Sequence, residues 1–342
     1  MLDANGQLRE AGFATSLLPR YDRMAVKAGA TRIKEWDYYA VMNERFGLAL
    51  TIADNSYMGL CSVSLLHFDR KSEITKTFLI PFPMGRLRLP GTSTSGTTKV
   101  KAKGYQVAFL HEHGMSLPGS PDSSRVINCK IRNFHKGKPL EAALRLTGEP
   151  PASMVIATPF AGKPRHFYYN QKINCLRAQG VVQFDGKRYV FGQQDSFGVL
   201  DWGRGAWPYR NAWYWASASG LLQGEPFGLN LGCGFGDPSA ATENMLFYQG
   251  AAHKLGQVTF DIPQKDGRDD YLSPWRLTDS EGRLALDFRP ILDRHAHTSA
   301  LVVSSLQHQV FGRFSGRATL DDGRTLEVRN LLGFAEKVVN RW

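Results

Sequence analysis

Apolar and polar residues alternate along most of this sequence, in runs separated by short turns rich in glycine and aspartate. Residues 126–134 alternate, residues 136–139 form a Lys-Gly-Lys-Pro turn, and residues 140–146 alternate again. Asp185 and Gly186 join a second pair of runs, and Asp-Gly is a strong hairpin signal because both central residues of its turn take positive φ. Alternation with a period of two is typical of strands, so these segments predict antiparallel hairpins.

Two further hairpins are predicted in the second half of the chain. Residues 311–320 and 324–329 flank an Asp-Asp-Gly turn, and residues 275–278 and 283–288 flank an Asp-Ser-Glu-Gly turn. Antiparallel strands in this number hide their edges by closing into barrels or by packing as sandwiches. The predicted fold class is therefore all-β, with two antiparallel β-barrel or sandwich domains packed together.

Helical signals are few. Residues 331–341 predict a short helix, and residues 239–244 predict another turn or two of helix. No alternation of strands with helices appears, so a parallel sheet is not expected.

The length of 342 residues favours two domains, because single domains usually have about 100–200 residues. The composition shifts towards glycine and tryptophan after the Asp-Gly hairpin, which places the predicted boundary near residue 190. The expected domains are residues 1–190 and residues 191–342. No linker rich in proline or serine separates them, so we expect the two domains to share an interface.

The composition excludes several classes of protein. Hydrophobic residues make up 42% of the chain and charged residues 21%, which is typical of folded proteins. No run approaches the ~20 apolar residues that cross a bilayer, and the polar N-terminus does not resemble a secretory signal. The four cysteines are isolated, which disfavours a zinc ribbon or a disulfide scaffold. We expect a cytoplasmic protein without integral membrane association.

The net charge of +11 raises the question of an anionic partner. Lysine and arginine are dispersed along the sequence, and the densest cluster, Lys99, Lys101 and Lys103, alternates with Val100 and Ala102 like the solvated face of a strand. No nucleic-acid-binding motif accompanies the charge. We therefore expect a basic surface and no nucleic-acid partner, and the sequence does not indicate an oligomeric state.

One aromatic segment, residues 194–215, differs from the rest of the sequence. It contains four of the seven tryptophans and interleaves them with aspartate and arginine. Tryptophan faces form apolar walls and attract cations by ~0.5–2 kcal/mol, and burial among them disfavours the charged form of a carboxyl group. We predict Asp201 as a catalytic acid. The predicted substrate-binding residues of this segment are Trp202, Arg204, Trp207, Tyr209, Arg210, Trp213 and Trp215.

Structural roles compete with these predictions. Trp213 and Trp215 lie two residues apart, so a strand places them on one face, which more often packs in a core than forms a ligand wall. Asp201 could equally form a structural ion pair with Arg204 or Arg210. Both alternatives are open at the level of sequence.

A glycine-rich segment follows the aromatic one. Gly232, Gly234 and Gly236 alternate between Asn230 and Glu243, without the spacing of a phosphate-binding loop. Such a glycine face admits an aromatic ring or a second backbone, or it leaves room for a ligand inside a barrel. We predict Glu243 as a second catalytic carboxylate and Asn230 as a further substrate-binding residue.

The histidines give little indication of a metal site. His111 and His113 have the spacing that puts two imidazoles on one face of a strand, but no third ligand is apparent. His295 and His297 repeat this spacing. We expect no metal and no cofactor.

Three segments resemble a known family. They are Asp201-Trp-Gly-Arg-Gly-Ala-Trp-Pro-Tyr-Arg-Asn-Ala-Trp-Tyr-Trp, Gly234-Phe-Gly-Asp-Pro-Ser-Ala-Ala-Thr-Glu-Asn and Asn330-Leu-Leu-Gly-Phe-Ala-Glu. Over nearly the whole chain they resemble a bacterial family known only as a domain of unknown function.

A more distant similarity is to the lipocalin-like group of carotenoid 1,2-hydratase (hydroxyneurosporene synthase) and AttH. That group has an acidic residue just before a Trp-Gly pair, and here Asp201 precedes Trp202 and Gly203, although the group's Asp-His-Glu/Gln-Trp-Gly form is absent. The resemblance implies two lipocalin-like domains and a hydratase-like activity.

Three functions follow from these observations. The first is a hydratase or isomerase that protonates an apolar small molecule, with Asp201 as the acid. The second is a lipocalin-like protein that binds a small molecule or lipid without catalysis. The third is a carbohydrate-active enzyme that uses Asp201 and Glu243 as paired carboxylates. The expected partner is thus an apolar or saccharide small molecule.

Overall fold

The computed structural model describes residues 1–112, 123–300 and 303–342. Within these ranges β-strands are the dominant secondary structure, and the helical elements are two 3₁₀ turns, Arg23–Ala25 and Ala30–Arg32. All the strand pairings of the two large sheets described below are antiparallel. The predicted all-β, antiparallel fold class is confirmed.

The first sheet has thirteen strands. They are β1 (Gly12–Ala14), β2 (Ile33–Met42), β3 (Phe46–Asp54), β4 (Met58–His67), β5 (Ser72–Pro81), β6 (Thr97–Ala102), β7 (Tyr105–Glu112), β8 (Ser124–His135), β9 (Lys138–Thr147), β10 (Met154–Phe160), β11 (Lys163–Phe184), β12 (Lys187–Phe191) and β13 (Phe197–Ala206). The main path runs β5-β4-β3-β2-β13-β11-β9-β8-β7-β6, with β10 and β12 also paired to β11 and with β1 paired to β10. The sheet curls and brings its two ends together. Phe78 of β5 stacks on Tyr105 of β7 with their ring centroids 3.8 Å apart.

The strands after Ala206 belong to a second sheet and a small hairpin. They are β14 (Arg210–Leu222), β15 (Glu225–Cys233), β16 (Met245–Tyr248), β17 (Ala251–Lys254), β18 (Val258–Asp261), β19 (Gln264–Lys265), β20 (Arg268–Asp269), β21 (Trp275–Asp279), β22 (Leu284–Ala300), β23 (Val303–Thr319) and β24 (Thr325–Arg341). The second sheet has the order β17-β16-β15-β14-β24-β23-β22-β21-β18, while β19 and β20 pair only with each other. The chain passes between the large sheets at residues 207–209, and its division into domains at residue 190 stays a prediction.

Each large sheet curls around its own hydrophobic core, and a third cluster joins the two sheets. In the first sheet Tyr39 and Val41 of β2 point into the inner core. Tyr38 of the same strand points outward and packs with Trp215 and Phe334 of the second sheet. Burial of a large apolar side chain contributes roughly 1.5–3 kcal/mol, so the shared cluster holds the outer faces of the sheets together.

The four predicted hairpins are all present, as β8–β9, β11–β12, β21–β22 and β23–β24. In the β11–β12 turn, Asp185 and Gly186 have φ values of 52° and 69°. This is the pair of positive values that the Asp-Gly signal predicts.

The short helix predicted over residues 331–341 is wrong, since these residues belong to strand β24. This strand pairs with β14 on one side and β23 on the other. Leu331 and Ala335 enter the core of the second sheet while Phe334 faces the first sheet, so the run is apolar on both faces and mimics a buried helix. The predicted helix over residues 239–244 is also wrong, because that segment contains only a turn.

Candidate functional site

A cavity of about 320 Å³ lies between the outer faces of the two sheets. Side chains of β2–β5, β11 and β13 form one wall, and side chains of β14 and β22–β24 form the other. The site thus depends on the packing of the two sheets against each other and lies outside both curled cores.

A row of three polar side chains, two of them charged, crosses the wall formed by the first sheet. Tyr38, Asp201 and Lys172 are cross-strand neighbours on β2, β13 and β11. Lys172 Nζ lies 3.0 Å from Asp201 Oδ1 and 4.0 Å from Glu243 Oε2. It also lies 3.9 Å from the ring centroid of Trp215. Lys172 therefore joins Asp201 and Glu243 into one buried charge cluster.

Gly203 makes room for a side chain that contacts this cluster. Gly203 follows Asp201 by two residues on β13, and a Cβ added there would overlap the indole ring of Trp36. In this position Trp36 Nε1 donates a hydrogen bond of 3.0 Å to Asp201 Oδ2. The glycine of the Trp202-Gly203 pair is thus required by the packing of Trp36.

We expect Gly203→Ala to destabilise the fold by about 1–3 kcal/mol, because overpacking displaces the Trp36 ring. The loss should be much smaller when Trp36 is already Ala, since the ring that collides is gone. Urea unfolding of the two single variants and the double variant measures this coupling. Gly12→Ala is the control, because a Cβ added there meets no atom within 4 Å. An equal loss in both backgrounds would contradict the packing described.

Glu243 is held at the cavity from two sides. The hydroxyl of Tyr168 donates to Glu243 Oε2 over 3.0 Å, and burial, followed by the charge of Glu243, raises the pKa of Tyr168 well above its ordinary value. Gly232 leaves space for the Glu243 side chain, which a Cβ would meet. Asn230 donates to the Glu243 carbonyl over 2.7 Å and accepts from Trp215 Nε1 over 2.7 Å. The glycine face therefore accommodates a carboxylate.

Glu336 of β24 is a third carboxyl group at the cavity, on the opposite wall. Trp213 Nε1 donates to its Oε1 over 2.7 Å, and Gln309 Nε2 donates to its Oε2 over 3.0 Å. Burial raises the pKa of Glu336 above its ordinary value. This effect outweighs the hydrogen bond from Trp213 and the more distant charges of Lys172 and Arg294. Among the described residues, no cation lies within ion-pair distance of this carboxyl.

Aromatic rings form the remainder of the wall at this end. The ring centroid of Trp207 lies 5.0 Å from Trp36, 5.7 Å from Trp213 and 4.8 Å from Phe235, all with edge-to-face geometry. Such pairs are worth ~0.5–1.5 kcal/mol beyond their burial. They give this part of the cavity a rigid apolar lining.

The structure brings together five of the residues singled out in the sequence and places a sixth behind them. Those that line the cavity are Asp201, Trp207, Trp213, Trp215 and Glu243. Asn230 is fully buried directly behind Trp215 and Glu243. Trp213 and Trp215 do share one face of a strand, as their spacing predicts.

The other four predicted residues do not line this cavity. Trp202 and Arg204 alternate with Asp201 on β13 and point to its other face, where Arg204 pairs with Asp37 at 2.9 Å. Tyr209 and Arg210 are exposed at the passage between the sheets. The alternative of an Asp201–arginine pair is wrong, since Asp201 pairs with Lys172.

Three charged residues of the cavity were missed in the sequence. Lys172 lies in an otherwise apolar and amide-rich strand, Glu336 lies in the segment predicted as a helix, and Arg294 lies in the longest hairpin. A charged residue inside a buried strand was the available signal, because such groups are rarely buried without a partner or a function.

Within the described residues, no group of three or more His, Cys, Asp and Glu side chains is arranged to hold a metal ion. His111 is the penultimate residue of strand β7, and His113 lies outside the described residues. In the same ranges, no helical segment has the length and apolar character that crossing a bilayer requires.

Comparisons with known proteins agree with this fold. The model of the family described as "Domain of unknown function (DUF2804)" matches residues 1–342. No curated protein sequence matches the chain.

Among solved structures, an AttH-like protein of Nitrosomonas europaea is 14% identical, with a TM-score of 0.54 over 90% of this chain and 92% of that one. CghA is 12% identical, with a TM-score of 0.54 over 98% of this chain and 97% of the other. A kievitone hydratase of Nectria haematococca is 9% identical, with a TM-score of 0.48 over 97% of each chain. The similarity to the AttH-like protein confirms the lipocalin-like fold that the sequence resemblance implied.

Proposed function

The chain belongs to the family described as Domain of unknown function (DUF2804). We propose that this member of the family is an enzyme that protonates an apolar, unsaturated small molecule. The observation that carries this proposal is Glu336, a buried carboxyl group at the cavity wall whose pKa is raised by burial. A general acid near neutral pH needs a pKa shifted in this direction. Glu336 is the proton donor in this proposal.

The carboxyl groups of the cavity have different environments, which separates their roles. Asp201 forms an ion pair with Lys172 at 3.0 Å and accepts a hydrogen bond from Trp36, so it suits the role of base. Among the residues that the structure describes, the hydrogen-bond donors to Glu336 are neutral, namely Trp213, Gln307 and Gln309. Acid and base assignments commonly follow such a separation of environments. Asp201, which the sequence suggested as the acid, becomes the base here.

The proposed step moves one proton and one electron pair. The π electrons of the substrate's double bond form a new C–H bond with the proton of Glu336, which leaves Glu336 as a carboxylate and the neighbouring carbon as a cation. The indole face of Trp213 stabilises that cation. Asp201 then accepts a proton, either from water that adds to the cation or from the carbon next to it. The first outcome is hydration and the second is isomerisation.

Saccharide hydrolysis receives less support from the geometry. Asp201 and Glu243 converge on the same Lys172 ammonium group, at 3.0 and 4.0 Å. A glycosidase needs one of its two carboxyl groups protonated beside the scissile bond. Here both carboxyl groups lie beside the same positive charge.

Incubation in heavy water with a panel of apolar alkenes and polyenes tests the proposal. The expected result is deuterium bound to carbon in at least one compound, whether the product is hydrated or isomerised. Mass spectrometry of the recovered compounds measures it. Binding of panel members without any transfer of deuterium would contradict catalysis and support the non-catalytic carrier.

A further inference from the structure

The cavity has two positive side chains in its walls, and they differ in their partners. Lys172 is 3.0 Å from Asp201. Arg294 of β22 also lines the cavity, but it lies within 4.0 Å of no carboxylate among the described residues. Its charge reaches Glu336 only from a longer distance. Arg294 is thus a cation of the cavity without a direct counter-ion.

A hydrogen bond holds the Arg294 guanidinium in place. Nη1 donates to Ser64 Oγ over 3.0 Å, and Ser64 Oγ lies 2.7 Å from Thr75 Oγ1. Ser64 is fully buried, so this anchor is fixed in the first sheet. The cross-strand neighbour Gln309 is already bonded to Tyr38 and Glu336. The other N–H groups of the guanidinium make no hydrogen bond to a described residue.

The surroundings of Arg294 differ from the aromatic end of the cavity. On the facing wall, strands β3–β5 contribute the hydroxyl side chains of Thr51, Ser62, Thr75 and Thr77. The cavity therefore has indole rings in one part of its wall, beside its carboxyl groups, and elsewhere a positive charge that pairs with no carboxylate of the described residues. A ligand that fills both parts has an apolar body and a polar, negatively charged group.

We propose that Arg294 binds an acidic oxygen group of the ligand, such as a carboxylate, while the apolar body lies among the indole rings. A guanidinium binds a carboxylate through two parallel hydrogen bonds, which fixes the orientation of the ligand as well as its charge. This inference rests on the proposed function for the position of the apolar body. It narrows the substrate class to unsaturated apolar acids.

The test compares carboxylic acids with their methyl esters. Matched pairs built on naphthalene, cinnamyl and long-chain alkenyl skeletons serve as probes, and their affinities are measured by quenching of tryptophan fluorescence and by calorimetry. We expect the wild-type protein to bind at least one acid about tenfold or more tightly than its ester. In Arg294→Gln this preference should disappear, while the affinity for the ester stays within about twofold.

Arg289→Gln is the matched control, because Arg289 lies on the same strand, is exposed and is not part of the cavity wall. It should keep the preference for the acid. Absence of such a preference in every pair, or its survival in Arg294→Gln, overturns the inference. Binding needs no turnover, so a preference for acids without deuterium transfer would contradict the proposed catalysis and leave this inference intact.

Discussion

Replacement of Glu336 by Gln is expected to lower the rate of deuterium transfer to carbon by about 10²-fold or more, as loss of a general acid does. The amide keeps the shape of the side chain and still accepts a hydrogen bond from Trp213, but it has no transferable proton. Because Glu336 lacks a cation within ion-pair distance among the described residues, its neutralisation leaves no charge unpaired. The amide nitrogen cannot accept the hydrogen bond from Gln309 Nε2, however, so the unfolding free energy should fall by about 1–3 kcal/mol.

Glu327→Gln controls for the loss of a carboxyl group from the same strand. Glu327 is largely exposed and interacts with Arg329 at 3.5 Å on the surface, so activity and stability should both stay unchanged. Turnover that survives in Glu336→Gln, together with a loss in Asp201→Asn of a folded protein, would return the role of the acid to Asp201.

The second large effect concerns stability. We expect Lys172→Met to destabilise the protein by about 3–5 kcal/mol near neutral pH, because removal of one member of a buried charge cluster leaves the others uncompensated. Asp201 and Glu243 both lose the cation at 3.0 and 4.0 Å. Urea unfolding near neutral pH measures the loss of stability.

Two further variants show whether lost charge causes the destabilisation expected in Lys172→Met. The double variant of Lys172→Met with Asp201→Asn should recover part of the stability, since it removes one of the unpaired charges. Lys130→Met breaks an exposed pair with Glu141, which is worth about 0–1 kcal/mol. A loss of stability that is the same in Lys172→Met and in the double variant would indicate lost packing instead of lost charge.

The sequence predicted the strands better than it predicted the contacts and the cavity between the two sheets. Turns such as Asp185 and Gly186 are local, because the backbone conformation they require is set by the residues themselves. The segment over residues 331–341 was mistaken for a helix because β24 is buried on both faces. That burial arises from contacts with a second sheet, and periodicity alone cannot reveal such a contact.

The same reason explains which parts of the candidate site were found. Asp201, Trp213 and Trp215 of the aromatic segment line one cavity, and the shared face of the two tryptophans follows from alternation along a strand, which is also a local property. The partner of Asp201 came from strand β11 instead of a nearby arginine, and Glu336 came from the last strand. Residues that meet on neighbouring strands, or where two sheets pack together, have no fixed separation in the sequence. No local pattern therefore identifies them.

The protonation state of Glu336 has a consequence for stability as well as for catalysis. Its pKa in the folded protein is raised above the ordinary value of 4.5 by burial, so the folded state holds this proton more tightly than the unfolded state does. The resulting stabilisation is present below about pH 4.5 and is lost as the pH rises through the folded pKa. In Glu336→Gln this part of the pH dependence should be absent.

An infrared titration of the carboxyl groups, taken as the difference between the wild-type protein and Glu336→Gln, tests the account most directly. Glu35, another buried carboxyl group with a raised pKa, is common to both proteins and cancels in the difference. We predict a protonated carboxyl signal that persists to higher pH than the signal of an ordinary glutamate, because burial raises the pKa of Glu336. A difference spectrum whose carboxyl signal titrates in the ordinary range of glutamate would contradict a buried acid at the cavity.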